Sequence, residues 1–120
     1  YDLIVLPGGM PGAEHLRESK TLVEMLKKQM QSGRLYAAIC ASPVVVLEHH
    51  GLLVGKKATS YPAMADKLKN KEAIGQRVVV DGNCITSQGP GTALEFALKL
   101  VEILFGIEKS RELAKAMLVS

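Results

Sequence analysis

Short apolar runs alternate along this chain with stretches whose apolar residues recur at helical spacing. The apolar runs predict buried strands at residues 1–6, 35–39, 77–80 and 84–87, with residues 57–60 as a further candidate. Asp81-Gly82-Asn83 is a strong hairpin signal between two of these runs, so that pair is expected to be antiparallel. Before the hairpin, a predicted helix lies between the strands at residues 1–6 and 35–39, and this spacing predicts a right-handed parallel crossover.

Helices are predicted where capping residues precede a periodic apolar stripe. A capping box at Thr21 and Glu24 predicts a helix that ends near Gly33. Its expected buried stripe is Leu22, Leu26 and Met30. Residues 43–50 predict a short buried helix because they follow a tight turn and end at a glycine, and residues 62–69 predict another.

The last third of the chain predicts two more helices. A capping box at Thr92 and Glu95 begins a long helix that Gly106 ends. Its expected buried face is Leu94, Ala97, Leu98, Val101, Leu104 and Phe105. The final helix, over residues 109–117, is expected to bury Leu113 and Met117. The element order predicts an α/β fold, a mostly parallel doubly wound sheet with an antiparallel hairpin and helices on both faces.

Composition indicates a single domain, since 120 residues with 48% hydrophobic content can form a core. The net charge of +3 is scattered, and Lys27-Lys28 and Lys56-Lys57 are the only adjacent basic pairs, so no nucleic-acid partner is expected. Two cysteines, without a signal-like N-terminus or a long apolar run, predict a cytoplasmic protein without a membrane partner.

Cys40 is the first candidate for chemistry, because it follows a strand and precedes small residues and a helix start. A tight turn of this kind lifts a side chain out of the sheet, and the first N–H groups of the helix favour a thiolate there. The alternative is a buried structural cysteine that behaves as a small hydrophobe. Cys84, inside a predicted hairpin strand, is expected to be of that buried kind.

Three loops are expected at the carboxyl ends of strands, where open α/β sheets bind ligands. They are Gly8-Gly9, Cys40 and Gly89-Pro90-Gly91. The N–H groups of Gly9 and Ala41 would together form an oxyanion hole. Tyr61 precedes a proline after residues 57–60 and is expected either at the same crevice or packed at a strand end. No phosphate-binding motif is present in the sequence.

No histidine is well placed as a base for Cys40. His49 and His50 lie about two helical turns further on, too far for a hydrogen bond, and suit a helix C-terminus instead. His15 lies in a polar stretch and is expected to be solvated. Adjacent histidines without nearby cysteine or clustered acids make a poor metal site, so no metal is expected.

The three loop segments, taken together, resemble the ThiJ/PfpI superfamily and within it the branch of the parkinsonism-associated protein deglycase. They are Leu-Pro-Gly-Gly at residues 6–9, Ala-Ala-Ile-Cys-Ala-Ser-Pro at 37–43 and Thr-Ser-Gln-Gly-Pro-Gly-Thr at 86–92. The resemblance implies a flavodoxin-like sandwich, a homodimer and an easily oxidised cysteine that matches Cys40. The oxyanion-hole glycine of the family matches Gly9, and Gly8, Tyr61 and Pro90 are expected to line the substrate pocket.

The chain departs from the family pattern in two ways. The glutamate that hydrogen-bonds the family cysteine comes from an N-terminal segment that is absent here, so residues 1–120 are expected to be the C-terminal portion of one ThiJ/PfpI-type domain. That segment could be a separate fragment that pairs with the open edge of the sheet. Some family members have histidine where this chain has Tyr61, which favours chemistry that needs only a thiolate.

Two classes of function are therefore expected. The first is a cofactor-free enzyme that converts a small 2-oxoaldehyde such as methylglyoxal to a hydroxy acid, or that deglycates a glycated substrate. The second is a non-catalytic redox sensor or chaperone that acts through oxidation of Cys40. A glutamine-amidotransferase-like hydrolase is a third interpretation, and it would need a placed histidine.

Overall fold

The computed structural model describes residues 1–118, and these residues form a four-stranded sheet in the order β1-β2-β4-β3. The strands are β1 (Leu3–Leu6), β2 (Leu35–Ile39), β3 (Val78–Asp81) and β4 (Cys84–Ser87). β1 and β4 both run parallel to β2, whereas β3 pairs with β4 in the antiparallel sense. The predicted hairpin is confirmed, and Gly82 accepts the φ of 59° that its tight turn requires.

Helices cover both faces of this sheet, as the α/β interpretation predicts. The α-helices are α1 (Gly12–Glu18), α2 (Lys20–Gln31), α3 (Ala93–Phe105) and α4 (Ile107–Ala116). Side chains alternate along β2, so Tyr36 and Ala38 face a core that includes Leu26 of α2. On the opposite face Ala37 packs with Phe96 of α3 in a second, smaller core. The flavodoxin-like α/β fold is thereby confirmed.

The N-terminal half contains one more helix than the sequence predicts. α1 forms directly after the glycine- and proline-rich loop, where no helix was expected. α2 begins two residues before the expected capping box, because Ser19 has extended backbone angles and its hydroxyl accepts the N–H of Leu22 at 3.2 Å. Thr21 is therefore inside the first turn and is not the cap.

Residues 57–60 are buried in part but do not form the candidate strand. Two of their N–H groups donate to side-chain oxygens instead of to the carbonyls of a neighbouring strand. The N–H of Lys57 donates to Oδ2 of Asp81 at 2.7 Å, and the N–H of Thr59 donates to Oγ1 of Thr86 at 3.0 Å. The helix expected over 62–69 is a shorter 3₁₀ segment, Pro62–Lys67. These side-chain bonds bring the following residue, Tyr61, against the end of β2.

α3 buries a different stripe from the expected one. Phe96 and Leu100 face the sheet, whereas Leu94 is 51% exposed and Phe105 71% exposed. The helix is apolar nearly all round, so its pattern alone could not identify the stripe that the sheet covers. In α4, Met117 was also expected in the core but is 44% exposed, because Ser110 and Ala114 face α3 instead.

No helix in residues 1–118 is long and apolar enough to span a membrane.

The two phenylalanines of α3 provide a matched test of this packing. We expect Phe96→Ala to lower the free energy of unfolding by about 3–5 kcal/mol, because it leaves a cavity against the sheet. Phe105→Ala should change it by less than about 0.5 kcal/mol, since this ring is exposed. Urea unfolding of both variants measures the difference, and equal losses would contradict the orientation of α3 described here.

Candidate active site

Cys40 directly follows β2 and has a backbone φ of 64°, which places it in the left-handed region that residues with a side chain rarely occupy. Both of its backbone groups are held: the N–H donates to the Ser87 carbonyl at 3.1 Å, and the carbonyl accepts the Tyr61 N–H at 2.8 Å. A strained residue of this kind costs about 1–3 kcal/mol and persists only where its surroundings impose it. The thiol is partly exposed, so Cys40 has the geometry of a nucleophile elbow.

The loop after β1 lies directly against this elbow. A Cβ added to Gly8 would clash with Cβ of Cys40 and would lie 2.8 Å from the carbonyl oxygen of Ile39. The buried hydroxyl of Ser42 donates to the Pro7 carbonyl at 2.5 Å and ties the two loops together. The neighbours of Gly8 on this side are thus Cβ of Cys40 and backbone atoms of Ile39 and Ala41, and its expected place in the substrate pocket stays a prediction. Because Gly8 has no side chain, the loop after β1 can lie directly against the elbow.

Two N–H groups on the residues that follow Gly8 and Cys40 make no hydrogen bond within residues 1–118. They belong to Gly9 and Ala41, the predicted oxyanion hole. Their carbonyls are engaged, since Gly9 accepts the N–H of Ala13 at 2.9 Å and Ala41 accepts the N–H of Val45 at 2.9 Å. Gly9 is exposed, whereas Ala41 is only 3% exposed, and buried N–H groups are rarely left without an acceptor.

The helix after the elbow is a six-residue π-helix, Pro43–Glu48. Its wider turn is closed by bonds such as that from the Leu52 N–H to the Leu47 carbonyl at 2.8 Å. The expected short buried helix is therefore present in a different form.

Tyr61 and Pro90 line one cleft of about 250 Å³ at the carboxyl ends of β2 and β4. Tyr61 is 46% exposed, and its ring carbon Cδ1 lies 3.6 Å from where a Cβ of Gly89 would be. Arg77 and Gln88 line the rim of the same cleft. Tyr61 thus joins the elbow, through its N–H, to the Gly89–Gly91 loop, through its ring. Cys40, Gly8, Gly9 and Ala41 do not line this cleft, so the expectation that Tyr61 shares a crevice with the thiol stays a prediction.

The histidines lie away from the elbow. His15 and His49 are exposed, and Nε2 of His50 lies 2.8 Å from the Arg17 carbonyl. A larger cleft of about 390 Å³ adjoins His50, but no residue of the elbow or of the Gly8 loop lines it. Among residues 1–118 no three His, Cys, Asp or Glu side chains are grouped to hold a metal ion.

Cys84 differs from Cys40 in its surroundings. It is 1% exposed and lies opposite Tyr36 in the pairing of β2 with β4. Burial raises the pKa of the Cys84 thiol to about 12, so it remains protonated at neutral pH. Burial also raises the pKa of the Tyr36 hydroxyl, which donates to the Leu52 carbonyl at 2.6 Å. Cys40 is therefore the more reactive of the two cysteines.

Residues that sequence reasoning did not single out also shape the site. Ser42 fixes the two loops, and Ser87, Thr92 and Arg77 hold the Gly89–Gly91 loop. The sequence signal for such residues is a serine or threonine at the buried end of a strand, because a buried hydroxyl needs a hydrogen-bond partner.

Gly8 and Gly12 provide a matched pair for testing the close approach. Gly8→Ala should slow alkylation of Cys40 by iodoacetamide and lower the free energy of unfolding by about 1–3 kcal/mol, because the new Cβ overlaps the elbow. Gly12→Ala has nothing within 4 Å of its Cβ and should change stability by less than about 0.5 kcal/mol. If both variants react at the rate of the unaltered protein, the elbow does not depend on Gly8.

The chain is similar over nearly all its length to known proteins. It is 61% identical over 119 residues to protein DJ-1 homolog B of Arabidopsis thaliana. The matched region covers 99% of this chain and 27% of that protein. It is 43% identical over 119 residues to the glutathione-independent glyoxalase DJR-1.2 of Caenorhabditis elegans, covering 98% of this chain and 62% of that protein. The chain thus spans between about a quarter and two thirds of these relatives.

Solved structures agree with the sequence relatives. Oxidised DJ-1 of Toxoplasma gondii superposes with a TM-score of 0.94 at 48% identity, over 100% of this chain and 65% of that one. The model of the DJ-1/PfpI family matches residues 1–103, which include the elbow, the Gly8-Gly9 loop and the Gly89–Gly91 loop. This chain therefore belongs to the DJ-1/PfpI family.

Proposed function

We propose that the full-length protein detoxifies small 2-oxoaldehydes and that Cys40 is its nucleophile. The observation that carries the proposal is the strained, partly exposed cysteine at φ 64° beside two N–H groups without acceptors. Such a site combines a positioned nucleophile with preorganised donors for a developing oxyanion. The similarity to a protein named a glutathione-independent glyoxalase supports this choice of substrate class.

The proposed reaction balances with water as the only co-reactant. The Cys40 thiolate adds to the aldehyde carbon of methylglyoxal, and the resulting oxyanion accepts hydrogen bonds from the N–H groups of Gly9 and Ala41. Transfer of the C1 proton to C2, with the matching shift of the O–H proton, converts the hemithioacetal to a thioester of lactate. Water then cleaves the C–S bond, releasing lactate and the thiol. No cofactor is required, because the oxidation of C1 is matched by the reduction of C2.

A base is needed for the proton transfer, and the hydrogen bonds recorded within residues 1–118 join no histidine or carboxylate side chain to Cys40. On the family resemblance this base is a glutamate in a segment that residues 1–120 do not include. We therefore attribute the activity to the full-length protein. Deglycation of glycated substrates would begin with the same thiolate and the same two donors.

Replacement of each cysteine tests the proposal. Cys40→Ser in the full-length protein should lower the rate of lactate formation from methylglyoxal at least about a hundredfold, because an alcohol is not ionised at neutral pH. Cys84→Ala should retain the activity, since this thiol is buried outside the cleft. Enzymatic measurement of lactate follows both variants, and equal rates for Cys40→Ser and unaltered protein would overturn the assignment.

Redox sensing is the second candidate, and the similarity to an oxidised DJ-1 structure favours it. Peroxide would transfer one oxygen to the Cys40 thiolate to form the sulfenate, with release of water after proton uptake. A second peroxide would give the sulfinate. The N–H groups of Gly9 and Ala41 could donate to the added oxygens. A sensor or chaperone of this kind needs no base.

Mild peroxide treatment distinguishes the reactive thiol directly. We expect mass spectrometry of tryptic peptides to find added oxygen on Cys40 well before Cys84, because Cys40 is partly exposed and Cys84 is buried. Oxidation of Cys84 first, in folded protein, would contradict both proposed functions.

We also propose that a second chain or another part of the protein covers the β1 edge, as a homodimer or with a separate fragment. β1 has a neighbour on one side only, and Val5 in it is 42% exposed. An open strand edge pairs readily with another chain.

Two free cysteines suit a reducing compartment, which supports the cytoplasm as the location.

A further inference from the structure

Three buried groups behind the Gly89–Gly91 loop form a chain of hydrogen bonds. The Gly89 N–H lies 3.1 Å from Oγ1 of Thr92, which lies 2.6 Å from Oγ of Ser87. Oγ of Ser87 in turn lies 2.6 Å from the carbonyl oxygen of Arg77. Ser87 is 0% exposed and Thr92 4% exposed, so water does not compete for these bonds.

Each hydroxyl in this chain has one proton, so it can donate only one of its bonds at a time. When Ser87 donates to the Arg77 carbonyl, Thr92 can donate to Ser87. When Thr92 donates to the Gly89 carbonyl, Ser87 can donate to Thr92, and the Arg77 carbonyl still accepts the Gln88 N–H at 3.4 Å. The Gly89 N–H donates to Thr92 in both arrangements. Thr92 also lies 3.0 Å from the Gly89 carbonyl, which is the only other acceptor in reach of its hydroxyl among the recorded bonds.

The same chain connects the loop to the nucleophile. Ser87 is the residue of β4 that pairs with Ile39, and its carbonyl accepts the Cys40 N–H at 3.1 Å. The far end of the loop is fixed from the other side, because Nη2 of Arg77 donates to the Gly91 carbonyl at 2.8 Å. Pro90, between these anchors, lines the same cleft as Tyr61.

We propose that Thr92 and Ser87 are positioning residues that keep Pro90 and Tyr61 at the separation the substrate needs to bind. Cys40 does not line this cleft, and it is joined to it through its carbonyl, which accepts the Tyr61 N–H. This inference rests on the proposed function and deepens it. The hydroxyls do not touch the substrate, and they act through the Gly89–Gly91 loop. Their loss changes the cleft while the elbow keeps its own contacts, which are the backbone bonds to Ser87 and Tyr61.

In the full-length protein, the rise in KM that each variant causes should follow the number of hydrogen bonds that the variant breaks. Thr92→Val leaves the Gly89 N–H and the Ser87 hydroxyl without this partner, and we expect KM for methylglyoxal to rise about tenfold with little change in kcat. Ser87→Ala should raise KM less, because Thr92 can turn its proton to the Gly89 carbonyl and still accept the Gly89 N–H. Thr92→Ser keeps the hydroxyl and should restore KM to within about twofold.

Ser110→Ala is the control for the loss of a buried hydroxyl elsewhere. Ser110 is 8% exposed and donates to the Leu98 carbonyl at 2.9 Å, between α3 and α4. This variant should lower the melting temperature but leave KM unchanged. Alkylation of Cys40 by iodoacetamide should stay within about twofold in all four variants, since the elbow itself is intact.

Hydrogen exchange separates failure of this inference from failure of the proposed function. Without any substrate, Thr92→Val should speed exchange of the Gly89 amide about tenfold or more, and Thr92→Ser should not. If unaltered protein makes no Cys40-dependent lactate, the proposed function fails while the exchange result still tests the hydrogen-bond chain. Unchanged exchange and unchanged KM in Thr92→Val, or an equal rise of KM in Ser110→Ala, would overturn the positioning role.

Discussion

The close contact between the loop after β1 and the turn after β2 determines the rest of the site. Cys40 can hold its positive φ because Gly8 has no side chain, which lets the two loops approach to backbone contact. The Ser42 hydroxyl and the Pro7 carbonyl then fix that approach. With the elbow held in this way, the N–H groups of Gly9 and Ala41, which follow Gly8 and Cys40 in the chain, have no acceptor within residues 1–118.

Much of this arrangement could be predicted from short-range signals in the sequence. The Asp-Gly-Asn hairpin, the parallel strands and the turn at Cys40 each follow from a few adjacent residues with strong backbone preferences. The histidines could be dismissed from spacing alone. The chemistry assigned to Gly9, Ala41 and Cys40 remains a proposal, although the geometry of these residues supports it.

The features that the sequence could not predict depend on contacts between distant residues. α3 is apolar on several sides, and only the position of the sheet selects Phe96 and Leu100 as its buried stripe. Residues 57–60 have strand-like composition, but the Asp81 carboxylate and the Thr86 hydroxyl take their N–H groups. Packing against the sheet decided the first case, and tertiary hydrogen bonding overrode local propensity in the second.

The π-helix after the elbow has a consequence for how this segment tolerates change. Each π turn accommodates one residue more than an α turn, and the chain that leaves it must still reach the Cys40 carbonyl with the Tyr61 N–H. Conservative exchanges among its buried valines preserve that reach. Removing a single residue would tighten the π turn to an α turn, which takes up the deletion within the helix. The segment between Cys40 and Tyr61 thus has one place where its length can change without moving the Tyr61 N–H away from the elbow.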